Sequence, residues 1–192
     1  MDKKFWDAIS KNHAEYGKHY RKLVGESNDA LNASKRAIFA LHRGDLKQGR
    51  ELLEQATTGL AGLRIRFKDQ PMLQEEGAYR AAVEEFVEAN LFEKFLSKKS
   101  LGEIKGIASP EPEVYLAGLA DVPGELVRYA VARATAGDMK EVMRAEKEAG
   151  DIIGFLISLD LTGYLRTKFD QAKNSMRRME EIAYDVALKG RK

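Results

Sequence analysis

The chain has 192 residues, a mass of 21.5 kDa, 44% apolar residues and 32% charged residues. This composition excludes a disordered chain, and no apolar run approaches the ~18 residues of a membrane helix. The absence of cysteine excludes disulfide scaffolds, thiol nucleophiles and zinc ribbons. Because only three histidines occur, all in the first quarter, a histidine-rich metal site is excluded too. We expect one cytoplasmic domain over residues 1–192 without a membrane partner, since the N-terminus lacks a secretory signal.

Charge is distributed unevenly along the chain, although the formal net charge is only +2. Residues 1–50 carry 11 Lys/Arg and 6 Asp/Glu, residues 51–125 carry 8 and 14, and residues 126–192 carry 13 and 10. Basic ends attract a polyanion, and an acidic middle segment suits divalent cations. The competing interpretation is a plain solvated surface, since charge blocks usually face the solvent.

The first element is a very long helix. Mostly apolar and aromatic residues recur at spacings of three and four from Ile9 to Leu41, which predicts a helical stripe of about 35 residues, similar to a coiled-coil seam. Ser27 and Ser34 interrupt the stripe, which argues against a fully buried middle. A stripe of this length outruns one small core, so it is compatible with packing between subunits.

Caps and prolines mark the ends of the other helices. Asp45 with Gln48, and Asp138 with Glu141, have the spacing of capping boxes. A Pro-Gly pair at 123–124 predicts a kink or a restart of the fourth helix. No alternating strand pattern occurs, so we predict an all-α bundle of six to seven helices. The later helices are predicted over about residues 46–66, 73–96, 113–136, 139–161 and 164–188, with a turn at 68–72 and a loop at 98–112.

Carboxylates of the third predicted helix fall partly on its apolar side. At ~100° per residue, Glu88 shares its strip of surface with Phe92 and Phe95. A carboxylate there costs desolvation energy, and further carboxylates one turn away add repulsion. Both costs vanish if the carboxylates hold Mg²⁺ or Mn²⁺. The alternative is an ordinary surface salt bridge, such as Glu84 with Arg80.

A second acidic pair lies in the fourth predicted helix. Asp121 and Glu125 are four residues apart, which places them on one face if the helix runs through the intervening Pro-Gly. The alternative for Glu125 is a surface salt bridge with Arg128. A ferritin-like di-metal bundle is excluded, because no histidine follows a glutamate by three residues.

Four segments in a fixed order resemble the Translin/Trax family over most of the chain. They are residues 79–96 with the run EFVEANLFEKFL, 115–128 with YLAGLADVPGELVR, 134–138 with ATAGD and 179–190 with MEEIAYDVALKG. The resemblance implies the Translin-like fold and barrel-like octamers with nucleic acid inside. Because an extended basic N-terminal tail and a long insert between the third and fourth helices are lacking, the chain resembles a compact archaeal or prokaryotic version, and we expect a homo-oligomer.

The two branches of this family differ in chemistry, and the resemblance favours the Trax-like, catalytic branch. Translin-type subunits bind RNA or single-stranded DNA, whereas Trax-type subunits carry a Mg²⁺-dependent endoribonuclease site. The set carried over by resemblance is Glu85, Glu88 and Asp121, as catalytic residues and ligands of Mg²⁺ or Mn²⁺. Glu125 matches an acid of both branches, so it is either a further catalytic residue or structural. Glu84 has no clear counterpart, and the number of metal ions stays open.

Basic residues predict where RNA phosphates are held. Arg80 lies two turns before Glu88 and, with Tyr79, resembles an aromatic-arginine pair of Translin. Lys18, Arg21 and Lys22 cluster on the first helix, and such contacts give little base specificity. Three functions stay open: an RNA endonuclease, a non-catalytic oligomer that binds RNA or single-stranded DNA, and a helical scaffold without affinity for polyanions. The acidic residues favour the first.

Overall fold

The computed structural model describes residues 2–70, 76–106 and 110–189. Within these residues the chain forms six helices and no strand, which confirms the predicted all-α bundle. The helices are α1 (Lys3–His42), α2 (Leu46–Arg66), α3 (Gly77–Leu96), α4 (Pro112–Thr135), α5 (Met139–Ile157) and α6 (Gly163–Lys189). None of the described helices combines the length and hydropathy that a bilayer span requires.

Both predicted helix caps form. The Asp45 carboxylate accepts a hydrogen bond from the backbone N–H of Gln48 at 2.9 Å, and Asp138 accepts one from the N–H of Glu141 at 3.2 Å. Each bond satisfies one of the free N–H groups at a helix start. These caps follow tight turns at residues 43–45 and 136–138, which reverse the chain between α1 and α2 and between α4 and α5.

Other boundaries differ from prediction in places. α5 ends at Ile157, before the predicted Leu161. The third helix begins at Gly77 after the extended Glu76, so the prediction of helix at residue 76 is wrong. Its predicted start at residue 73 and part of the turn at 68–72 lie outside the described residues. The predicted restart of α4 at Pro123 is wrong, because the helix continues through this buried proline. The flanking Val122 and Leu126 are fully buried, so packing on both sides offsets the one backbone hydrogen bond that proline removes.

The helices α3 and α4 form the centre of the molecule. The pair α1 and α2 packs against α3, whereas α5 and α6 pack against α4. Four helices, α1, α3, α4 and α6, run in the same direction, and α1 and α6 contribute Lys35 and Lys168 to one side of the α3–α4 seam. The contacts that establish this direction are Lys35–Glu85 and His42–Phe92, Arg80–Glu111 and Phe95–Tyr129, and Asp121–Lys168 and Gly124–Ser175.

The first half of α1 projects from this core as an exposed helix, which contacts the rest of the chain where Tyr16 donates to Glu76 at 3.2 Å and where the ring of His19 lies 5.9 Å from that of Phe67. No residue of α1 before Leu23 is buried, which leaves about 30 Å of exposed helix at 1.5 Å per residue. The expectation for the middle of the stripe is wrong, since Ser27 and Ser34 are both 0% exposed. Ser34 satisfies its hydroxyl by donating to the carbonyl of Ala30 at 3.0 Å. A small side chain bonded to its own helix therefore substitutes for an apolar one.

Candidate functional site

Five carboxylates lie along the seam where α3 packs against α4, and we call them the acidic cluster. The continuous α4 helix places its two acids one turn apart, which the sequence left dependent on the Pro-Gly pair. The three acids of α3 lie within about one turn of each other. The members of the acidic cluster are Glu84, Glu85, Glu88, Asp121 and Glu125.

Glu88 is the most deeply buried member of the acidic cluster. It is 9% exposed, and Phe92 one turn later is 0% exposed, so its predicted position on the apolar side is correct. Burial, followed by the negative charges of Asp121, Glu85 and Glu125, raises the pKa of Glu88 to about 9. Glu88 therefore carries a proton at neutral pH unless a cation compensates the charge of the cluster.

A lysine of α6 neutralises one side of the acidic cluster. Lys168 Nζ lies 2.5 Å from Glu84 Oε1 and 2.6 Å from Asp121 Oδ2. One turn earlier, Tyr164 donates its hydroxyl to Glu84 Oε1 at 2.9 Å. Burial alone would lower the pKa of Lys168, but its bonds to both carboxylates outweigh burial and raise it. Lys168 is therefore a permanent positive charge. The pKa of Asp121 is still raised, chiefly by burial.

The other members of the acidic cluster are bonded to side chains of α1 and of α4 itself. His42 Nε2 donates a hydrogen bond to Glu125 Oε2, and Arg128 Nη1 donates to the same oxygen at 2.8 Å. Burial opposes ionisation, but these two donors outweigh it and lower the pKa of Glu125. Lys35 Nζ lies 3.9 Å from Glu85 Oε2, yet burial still raises the pKa of Glu85. Thus the salt bridge between Glu125 and Arg128 forms as the sequence allowed, while Glu85 keeps a weakly compensated charge.

The donor set has the chemistry that a hard divalent cation prefers. Carboxylate oxygens are the protein ligands of Mg²⁺, and no basic side chain of the described residues lies within ion-pair distance of Glu88. In the same described residues, no three acidic or histidine side chains converge closely enough to hold one ion. The arrangement is therefore a cluster with excess negative charge, with one side held by Lys168.

Three partners of the acidic cluster were missed by the sequence analysis. Lys168 and Tyr164 come from α6, and His42 is the last residue of α1. Glu84, which the resemblance left out, joins the cluster through Lys168. The spacing of Tyr164 and Lys168 places both on one face of a helix, but nothing local indicates that this face meets α3 and α4.

Arg80 lies near the acidic cluster and is paired with two acids at the start of α4. Its guanidinium donates to Glu111 Oε2 at 3.1 Å and to Glu113 Oε2 at 3.3 Å. With Glu84 and Tyr164, Arg80 also lines a cavity of about 470 Å³ beside the cluster. The sequence allowed a salt bridge between Arg80 and Glu84. In the structure Glu84 instead forms its salt bridge with Lys168.

The other residues predicted to bind RNA lie far from the acidic cluster. Lys18, Arg21 and Lys22 are exposed on the projecting half of α1. Lys22 Nζ lies 3.9 Å from a carboxylate oxygen of Glu26. At 1.5 Å per residue, this basic group is about 20–25 Å along α1 from Lys35, where α1 meets the cluster. One chain therefore does not bring the two sets of residues together.

Sequence comparison finds relatives that are named Translin and Translin-associated protein X. The family model described as Translin family matches residues 18–190. Mouse Translin-associated protein X is 26% identical over 215 aligned residues, which cover 89% of this chain and 73% of that protein. Chicken Translin is 28% identical over 106 residues, which cover 51% of this chain and 46% of that protein. The chain thus matches about half the length of chicken Translin.

Solved structures share the fold along nearly the whole chain. AfC3PO has a TM-score of 0.87 at 23% identity and covers 96% of this chain and 97% of its own. The complex of AfC3PO with duplex RNA has a TM-score of 0.84 at 21% identity, with the same coverage. Apo-NeC3PO has a TM-score of 0.85 at 19% identity and covers 97% and 98%. At these identities the likeness establishes the fold alone, and it confirms the predicted Translin-like fold.

Proposed function

Because the chain belongs to the Translin family, we propose that it is a metal-dependent endoribonuclease that binds and cleaves RNA within a homo-oligomer. The observation that carries this proposal is the acidic cluster, and above all Glu88. A carboxylate with a pKa of about 9, surrounded by further carboxylates, is costly for folding. Perturbed groups of this kind concentrate at functional sites, because function needs them where stability does not.

Glu85, Glu88 and Asp121 are the residues that would hold Mg²⁺, or Mn²⁺ in its place, with water molecules completing the coordination, because Mg²⁺ retains several waters and the three side chains do not converge on one point in this structure. When bound, such an ion supplies a Lewis acid and a water of lowered pKa for hydrolysis of a phosphodiester. Lys168 holds Asp121 through Oδ2, which fixes the orientation of this carboxylate. Glu125 accepts hydrogen bonds from His42 and Arg128. We therefore propose a structural role for it, as an ionised carboxylate that orders this end of the site.

Binding of RNA is supported by the family and by the basic residues. The related fold of AfC3PO has been solved with duplex RNA, so we propose single-stranded or short duplex RNA as the substrate, and single-stranded DNA as a further ligand. Lys18, Arg21, Lys22 and Arg80 would contact phosphates, which gives salt-dependent binding with little base specificity. A cytoplasmic location stays a prediction.

The projecting half of α1 supports self-association. Its exposed apolar and aromatic side chains recur at helical spacing on one face, whereas its basic residues lie on the opposite face. A second copy of the chain would cover the apolar face, and an octamer would bring the basic faces of several copies towards the acidic clusters. The exposed residues of the apolar face are Phe5, Trp6, Ile9, Tyr16 and Tyr20.

One observation favours the second function, an RNA-binding oligomer without cleavage. Lys168 already neutralises Glu84 and Asp121, which lowers the demand of the acidic cluster for an external cation. The two functions differ in the outcome of a single experiment on labelled RNA.

The test is cleavage of a labelled single-stranded RNA by the wild type and by Glu88→Gln, each with Mg²⁺ and with EDTA. We expect cleavage by the wild type only with Mg²⁺, and none by Glu88→Gln, whose RNA binding stays intact. Glu93→Gln is the matched control, because Glu93 is also buried on α3 but contacts Arg50, outside the acidic cluster. Binding without cleavage by the wild type would establish the non-catalytic function. Cleavage by Glu88→Gln would remove Glu88 from the site.

A further inference from the structure

Lys168 is a cation that the fold itself places inside the acidic cluster. Its side chain is 15% exposed, as is that of Glu84, and that of Asp121 is 24% exposed. The ammonium joins three helices, since it comes from α6 and contacts acids of α3 and α4. The Tyr164 hydroxyl donates to both oxygens of Glu84, at 2.9 and 3.1 Å, so that Glu84 is held from a second direction.

Apart from Glu125, which is bonded to His42 and Arg128, the carboxylates of the acidic cluster therefore form two halves that differ in how closely a basic side chain approaches them. Glu84 and Asp121 share the full positive charge of Lys168 at hydrogen-bond distance. In the other half, Glu88 has no cation within ion-pair distance among the described residues, and Lys35 approaches Glu85 only to 3.9 Å. An ion pair at hydrogen-bond distance in a partly buried site compensates a carboxylate far more than an exposed lysine at longer distance does.

We propose that Lys168 is a positioning residue that acts as the built-in counter-cation of the acidic cluster. It orients Asp121 through Oδ2 and compensates the charge that a bound divalent cation would otherwise neutralise at this half of the site. The inference rests on the proposed metal site. It states in addition that Lys168 and a divalent cation both compensate the charge of Asp121, so that loss of one increases the effect of the other.

The consequence is measurable as thermal stability in EDTA and in millimolar Mg²⁺. Lys168→Met leaves Glu84 and Asp121 buried without their cation, so we expect a lower Tm in EDTA. Millimolar Mg²⁺ should then raise the Tm of Lys168→Met about twofold more than that of the wild type, because a ligand stabilises the state it binds. Lys168→Arg keeps the charge and should respond as the wild type does.

Lys173→Met is the matched control on the same helix. Lys173 Nζ lies 2.8 Å from Asp170 Oδ1 at a half-exposed position outside the acidic cluster, so its removal should leave the response to Mg²⁺ unchanged. Glu84→Gln is the second variant, which keeps Lys168 but removes one of its two acids. We expect it to lower the Mg²⁺-induced rise in Tm below that of the wild type, even if Lys168→Met does not fold.

The outcomes separate this inference from the proposed function. An equal rise in Tm for the wild type, Lys168→Met and Glu84→Gln would overturn the role of Lys168 while leaving the metal site in place. No response to Mg²⁺ in any of these proteins would overturn both. A larger response of Lys168→Met, with rescue by Lys168→Arg, would support the counter-cation, since a merely structural lysine does not change a response to Mg²⁺.

Discussion

Gly118 on α4 lies against the backbone of Glu84 on α3. A Cβ atom at position 118 would stand 2.6 Å from the carbonyl oxygen of Glu84 and 2.8 Å from Cβ of Val87. Glycine thus permits an approach of the two helices that no other residue allows. Asp121 follows Gly118 by about one helical turn, so this contact sets the separation of the carboxylates across the seam.

The first prediction concerns this contact. Gly118→Ala forces a methyl group against backbone and branched side-chain atoms, so α3 and α4 must move apart. Overpacking of this kind costs about 1–3 kcal/mol of the free energy of unfolding. Urea denaturation measures the loss, and we expect RNA cleavage to fall with it, because the carboxylates of the two helices separate.

Gly124 on the same helix provides the control for Gly118→Ala. A Cβ at position 124 would meet only Ser175 Oγ, at an ordinary 3.9 Å. Gly124→Ala should therefore be neutral or stabilise the helix by up to about 1 kcal/mol. Equal effects of the two substitutions on unfolding would contradict the role of Gly118.

The fold could be predicted from the sequence to a large extent because its signals are local. The caps at Asp45 and Asp138 each depend on residues three positions apart, and both form. The error at Pro123 has a tertiary cause, since packing on both flanks keeps α4 continuous where the isolated segment would break. The buried Ser27 is likewise fixed by its neighbours in space.

The acidic cluster could be predicted only in part. The position of Glu88 on the apolar side of α3 follows from helical periodicity, and the structure agrees with it. The partners Lys168 and His42 could not be predicted, because each meets the cluster through the packing of distant helices. Whether Glu85, Glu88 and Asp121 bind a metal ion stays a prediction.

The second prediction is a fall in stability with rising pH that depends on Glu88. Its pKa is about 9 in the folded protein against a usual 4.5, so between these values the folded protein holds a proton that the unfolded chain has released. The free energy of unfolding then falls as pH rises, by at most about 1.4 kcal/mol per pH unit. Glu88→Gln removes this term. In EDTA it should gain stability over the wild type from pH 5 to pH 9.

Glu93 provides a control of the opposite sign. Burial opposes its ionisation, but hydrogen bonds from Ser97 and Arg50 outweigh burial and lower its pKa. Its contribution to stability is therefore present above the usual pKa and is lost as pH falls. Glu93→Gln should cost stability at pH 7 and less at low pH, in urea titrations of the same series. A parallel pH dependence for the wild type and Glu88→Gln would contradict the burial of a protonated Glu88.

The third prediction concerns the basic group on α1. Replacing Lys18, Arg21 and Lys22 together by alanine should weaken RNA binding in EDTA and reduce the slope of log K against log salt by about 2. This value follows if each residue neutralises one phosphate, at about 0.7 per contact with a single strand. Lys47→Ala is the control, since Lys47 is exposed on α2. An unchanged slope would show that these three residues do not contact phosphates.

The last prediction concerns the apolar face of α1. Trp6 and Ile9 are 56% and 47% exposed on the part of α1 that precedes the contact of Tyr16 with Glu76, about 20 Å of helix, which is an unfavourable surface for an isolated chain. The double substitution Trp6→Asp and Ile9→Asp should convert the oligomer to smaller species in analytical ultracentrifugation, while circular dichroism stays unchanged. Lys11→Asp introduces a negative charge about 160° away on the same helix, and it should leave the oligomer intact.

If both variants kept the mass of the wild type, the apolar face would not be an interface. If the wild type itself were a monomer, the proposed assembly would be wrong. A smaller species that still cleaves RNA would show that one chain holds a complete site, whereas loss of cleavage with retained folding would show that the basic face of a second copy is needed beside the acidic cluster.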